Sequence, residues 1–196
     1  MPLDKARIEA AVAELLAAIG EDPGREGLAS TPRRFAEAYE EFFGEFDVDP
    51  AVHLAETFAV NEGSGAPADV QTVVVRDIAF RSICEHHLLP FLGTAHVAYR
   101  AGERVLGLGK LPRIVETVAS RPQLQERLTE QIADVLDSGL SPEGVLVVVD
   151  AAHGCVQLRG PRQSASTTVT VAARGTLAEP AARAEIMALI GAAREG

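Results

Sequence analysis

The sequence predicts an α+β fold, with an N-terminal helical region over residues 1–62 and a second domain over residues 63–196 built on an antiparallel sheet with two helices on one face. Three observations carry this expectation. The N-terminal region shows only helical spacing of its apolar residues. β-branched apolar runs then appear around 70–80, 91–99 and 145–149, with two amphipathic helical stretches between the second and the third. A Gly-, Ser-, Pro- and Ala-rich connection, Gly63 to Asp69, separates the two regimes.

In chain order, Ile8, Val12, Leu15, Leu16 and Ile19 recur at helical spacing over residues 4–19, and Gly20 stands where a helix stops. Ser30-Thr31-Pro32 then supplies an N-cap and an early proline for a helix from Arg33 to about Phe43. A short helix is expected after Asp49-Pro50. Beyond the connection, Val70 to Val75 and Ile78 to Phe80 read as strand, Ser82 to Pro90 as an interruption holding a tight helical turn, and Phe91 to Tyr99 as a second strand closed by Ala101-Gly102-Glu103. Helices follow over Lys110–Ala119 and Pro122–Leu136. The run Val145–Val149 is apolar throughout, as in a strand buried on both faces. Strands over Val156–Leu158 and Thr167–Ala173 and a helix over Pro180–Ile190 complete the expectation.

A chain of 196 residues can bury a core without disulfides. Its formal charge of −10 argues against a nucleic-acid coat, which needs surplus Lys and Arg, though a small anion needs only a few local cations. The start lacks a basic segment leading into an apolar run, and no apolar run reaches membrane-spanning length. A cytoplasmic protein without a membrane partner is expected, and there a cysteine pair serves more often as a metal or catalytic pair, or as two buried thiols, than as a disulfide.

Both cysteines and three of the five histidines fall in two stretches, Ser82–Pro90 and Asp150–Cys155. Cys84 and His87 are one helical turn apart, so one ion can take both, and Cys155 can complete a set of three. Two thiolates and an imidazole suit zinc, and three protein ligands leave a fourth position for water. On a strand, His153 and Cys155 would face the same way, placing His153 in the same pocket as an acid or base; His86 would line the adjacent wall. The bland alternative is two small buried thiols and a surface turn. The glycines of Gly102–Gly107 and Gly107–Pro112 fit neither a P-loop nor a dinucleotide fingerprint. Lys110 and Arg113 could hold phosphates at a helix start, or form a solvated basic face.

Read together, these stretches resemble the GTP cyclohydrolase I family over nearly the whole chain. The likeness rests on Arg25-Glu26-Gly27-Leu28, Thr31-Pro32-Arg33-Arg34, the stretch Ser82–Pro90, Gly107–Arg113, Arg121–Thr129, His153-Gly154-Cys155 and Arg159-Gly160. The resemblance implies a tunnelling fold, usually assembled as a homodecamer with sites between subunits. It implies zinc on Cys84, His87 and Cys155, with His86 and His153 moving protons. Glu126, beside Gln125, would accept from the guanine edge, and Lys110, Arg113 and Arg159 would hold the triphosphate. The reaction implied opens GTP at C8, releases formate and forms 7,8-dihydroneopterin triphosphate for pterin and tetrahydrofolate biosynthesis.

The chain departs from the family pattern at the phosphate end: Gly109 stands where a serine is usual, Thr167 where a lysine is usual and Val171 where a serine is usual. Two other readings follow, a divergent paralogue with altered phosphate recognition and a zinc-stabilised assembly or regulatory protein without turnover. A related nitrile reductase is disfavoured by the intact Cys-Glu-His-His group.

Overall fold

The computed structural model describes residues 3–60 and 71–191. Contacts divide the chain into two compact units, Met1–Asp47 and Val48–Gly196. The connection expected at Gly63–Asp69 lies outside the described residues.

In the first unit, helix α1 (Lys5–Ala18) is capped by the Asp4 carboxylate, which accepts from the Arg7 N–H at 3.0 Å. Gly20 takes φ 89°, the left-handed conformation that lets the chain turn off the helix. Helix α2 (Thr31–Phe43) carries Pro32 in its first turn, as expected, and stacks Phe35 on Tyr39 with centroids 4.3 Å apart.

The second unit opens with a 3-10 turn, Pro50–Ala55, capped by Asp49. Strand β1 (Thr57–Ala59) pairs antiparallel with β4 (Arg104–Leu106) in a small separate sheet. Three-residue strands are too short to show a period, and neither was expected. The main sheet contains β2 (Thr72–Cys84), β3 (Pro90–Arg100), β5 (Pro122–Gln123), β6 (Gly144–His153) and β7 (Thr168–Gly175), in the order β5-β2-β3-β6-β7. All neighbours are antiparallel except β2 and β5.

Strand β2 runs further than the sequence suggested, absorbing a bulge between Val75 and Ile78 and continuing to Cys84. At the bulge Asp77 has φ 56°, and its N–H donates to buried His96 Nδ1 at 3.1 Å. Helices α3 (Lys110–Ala119) and α4 (Gln125–Leu140) cover one face, packing Ile114, Val118, Leu128, Ile132 and Leu136 with Phe80, Phe91, Val97, Val147 and Val149. Helix α6 (Pro180–Gly191) covers the other, setting Ile186 and Ile190 against Leu146 and Val148. With both faces covered, β6 has the continuous apolar run read in its sequence.

Two expected elements are corrected. Pro122 does not start a helix: it lies in β5 opposite Ile83, Leu124 is still extended at ψ 138°, and the helix begins at Gln125. Proline, without an N–H, is tolerated in such an edge strand. Val156–Leu158 is not a strand, because residues Gly154–Gln157 form the single-turn helix α5.

Gly93 is the tightest backbone approach in the sheet. A Cβ there would lie 2.1 Å from the Asp150 carbonyl oxygen and 2.7 Å from Ala151 Cα, backbone atoms of a strand fixed by its own pairing. Gly93→Ala is expected to destabilise the protein by about 3 kcal/mol, measured by denaturant unfolding, because neither strand can move without breaking its ladder. Among the described residues no helix is long and apolar enough to cross a membrane.

Candidate metal centre and catalytic site

The end of β2 delivers Cys84, buried, to the lip of the sheet. The chain then makes one turn, with the Leu88 N–H donating to the Cys84 carbonyl at 2.8 Å, and reverses into β3 through Leu88 at φ 52°. The Cys84 N–H closes the hairpin on the Leu89 carbonyl at 2.9 Å. This is the single turn the sequence suggested between Cys84 and His87, closed by a left-handed residue ahead of Pro90. His86 and His87 are exposed on it, their ring centroids 6.2 Å apart.

The second wall comes from β6. His153 ends that strand opposite Phe91, and its ring stacks on the Phe91 ring at 4.6 Å with only 4° between planes. Cys155 is not two places along the same strand, as expected, but in the first turn of α5. Gly154 allows this tight entry, since a Cβ there would lie 2.9 Å from the Pro90 carbonyl oxygen. The ligand atoms of Cys84, His87 and Cys155 all lie within 4.8 Å of one another. Burial first, and Cys84 next, push the Cys155 thiol up from its ordinary value. A divalent cation would reverse both effects, and a set of two sulfurs and one imidazole nitrogen fits zinc.

Gln125 opens α4 and is buried; its side-chain Oε1 lies 2.7 Å from His153 Nε2, and its Nε2 donates to the carbonyls of Val149 at 3.1 Å and Thr168 at 2.8 Å. Its amide is thus occupied within the protein. Glu126, the next residue, is exposed and acts electrostatically on His153, whose pKa is lowered by burial and partly restored by that carboxylate. Lys110 and Arg113 sit at the start of α3, paired with Glu56 at 2.7 Å and Glu116 at 3.1 Å. Arg159 is exposed just past α5 and lowers the Cys155 pKa slightly against the two dominant effects.

A family model described as GTP cyclohydrolase I matches residues 8–191. The chain belongs to the GTP cyclohydrolase I family. A GTP cyclohydrolase 1 of Leifsonia xyli subsp. xyli is 61% identical over 188 residues, covering 96% of each chain. One from Carboxydothermus hydrogenoformans is 53% identical, again over 96% of each chain, and one from Bacillus subtilis is 50% identical over 94% of this chain and 95% of its own. These matches span the helical region as well as the sheet, so the GTP cyclohydrolase I family accounts for the whole architecture and makes the protein an enzyme. Its tunnelling fold is the α+β architecture described above.

Three features of the site were not read from the sequence: the Phe91 stack, the Gln125–His153 hydrogen bond, and a polar group joining Glu85, Gln123 and Arg127. Each pairs residues from distant elements, and no local spacing announces it. The resemblance makes Gln125 a substrate-binding residue beside Glu126 and does not announce its hydrogen bond to His153.

Proposed function

We propose that the protein is a zinc-dependent GTP cyclohydrolase that hydrolyses the guanine imidazole ring at C8, releases formate and forms 7,8-dihydroneopterin triphosphate. The observation that carries the reading is the convergence of Cys84, His87 and Cys155 within 4.8 Å in a member of this family. Zinc held by these three residues supplies Lewis-acid activation of water at neutral pH.

The remaining residues supply binding and proton transfer. His153 is partly buried, is held against Phe91, and has a lowered pKa, so its ring is neutral at pH 7 and can accept a proton. His86, exposed on the turn, assists at a second position. The Glu126 carboxylate accepts from the guanine N1–H and 2-amino group, neighbouring donors that suit its two oxygens. Lys110, Arg113 and Arg159 hold the triphosphate, the first two exchanging Glu56 and Glu116 for phosphate oxygens.

A homo-oligomer, in the family's usual decameric form, is supported by the sheet edges. Among the described residues β7 is the outermost strand on one side, and on the other β5 covers only Ile83 and Cys84, leaving β2 from Thr72 to Ser82 without a strand partner there. Long open edges invite pairing, and a closed ring of copies removes them. On this proposal the enzyme is cytoplasmic, with GTP and its own copies as partners and with neither nucleic acid nor membrane.

Reduced phosphate recognition is a second reading, favoured by Gly109, which caps α3 without any side-chain hydrogen bond, and by exposed Val171 on β7. Loss of one charge-assisted bond weakens binding roughly tenfold to hundredfold. The test is to measure bound zinc, then incubate the protein with GTP and assay formate together with fluorescent neopterin after oxidation. Both products are expected. Zinc without either product would sink the cyclohydrolase reading, and turnover with an elevated KM for GTP would select the phosphate-weakened form.

A further inference from the structure

The Cys-Glu-His-His stretch contains one residue with no role in the mechanism above, Glu85. Its carboxylate pairs with the Arg127 guanidinium. Arg127 also donates from Nε to the Gln123 side-chain oxygen at 3.1 Å. Gln123 is fully buried, and its Nε2 donates to the Val118 carbonyl at 2.9 Å and to Gln131 Oε1 at 2.8 Å. The same residue's backbone carbonyl accepts from the Glu85 N–H at 3.1 Å. Glu85 is therefore tied to this buried post by its backbone and, through Arg127, by its side chain.

The two ends of the tie have chemical neighbours. Glu85 lies between Cys84 and His86 on the turn that brings His87 to the metal cluster, and Arg127 follows Glu126 in the first turn of α4. The turn reverses through a left-handed leucine, Leu88, a strained conformation for that residue that persists only when its surroundings hold it. We propose that Glu85 and Arg127 are a positioning pair, fixing the metal-binding turn against the start of α4 so that zinc affinity and guanine binding are set together. The inference rests on the zinc and Glu126 roles proposed above. Both side chains are partly exposed, so the pair adds little to global stability and its effect is on geometry. Outer residues that orient metal ligands typically change metal affinity or activity about 10- to 100-fold when replaced.

The test compares wild type with Glu85→Ala, Arg127→Ala, Arg127→Lys and the double alanine variant. Zinc affinity is read by competition with a chromophoric chelator, KM and kcat with GTP, and thermal unfolding on the zinc-free proteins. Each alanine variant is expected to weaken zinc binding at least about tenfold and raise the KM for GTP, with zinc-free unfolding unchanged. The double variant should be no worse than Arg127→Ala, because the Glu85 side chain reaches the buried post through Arg127. Arg127→Lys should fall between wild type and Arg127→Ala, since it keeps the charge and loses the fork that also reaches Gln123. Variants that bind zinc and GTP as wild type does would overturn the pair while leaving the cyclohydrolase reading intact. So would losses of affinity that merely track a lower unfolding temperature. A wild-type protein that binds no zinc would overturn both.

Discussion

Cys155→Ala is expected to take bound zinc from about one ion per chain to about none, and formate release with it. Donor count sets this outcome. Cys84 and His87 come from a single turn, while Cys155 is the donor contributed by the opposite wall. Without it, two donors from one side remain, too few for the four-coordinate shell that zinc adopts. The substitution should leave the fold standing, because Cys155 is only partly buried at the margin of the core and alanine replaces it without introducing a polar group. Metal analysis after desalting checks the first outcome, the formate and neopterin assays the second, and unfolding of the zinc-free proteins the third. Full zinc occupancy in Cys155→Ala would remove this residue from the ligand set.

Much of this arrangement was legible in the sequence because it is written in local patterns. Cys84 and His87 announce a shared side by spacing alone, and Val145–Val149 announces a doubly covered strand by having no polar residue. What escaped was of two kinds. Val156–Leu158 is too short for its period to distinguish strand from helix, and Gly154, whose place in the tight entry depends on the distant Pro90 carbonyl, decided the matter. Pro122 looked like a helix start because proline favours a first turn, but a parallel bridge to Ile83 held it extended. The other kind is tertiary pairing: Phe91 with His153, and Gln125 with both His153 and the Thr168 carbonyl, meet across elements far apart in the chain. The strand premise for Cys155 itself did not hold. The sequence placed His153 and Cys155 in one pocket by strand alternation, whereas the chain leaves the strand at His153 and carries Cys155 to Cys84 by a helical turn.

The second large effect is expected at His153, where hydrogen-bond accounting fixes the chemistry of the ring. The Gln125 Nε2 group faces the carbonyls of Val149 and Thr168, which can only accept, so that end of the amide is the donor and Oε1 is the end turned to His153. An amide oxygen accepts only, so His153 must carry its proton on Nε2. Burial lowers the ring's pKa against the opposing pull of Glu126, and the neutral ring therefore presents Nδ1 as its basic nitrogen. The Phe91 stack holds the plane, and Gln125 prevents the ring from exchanging its two nitrogens. A base fixed in tautomer and orientation contributes about 10²- to 10⁴-fold to a proton-transfer step. His153→Ala should lower kcat for formate release by that factor while bound zinc stays at the wild-type level, separating proton transfer from metal binding. Measuring zinc content and kcat on the same preparation decides it: a kcat within about threefold of wild type, at equal zinc, would show that the reaction does not route a proton through this ring.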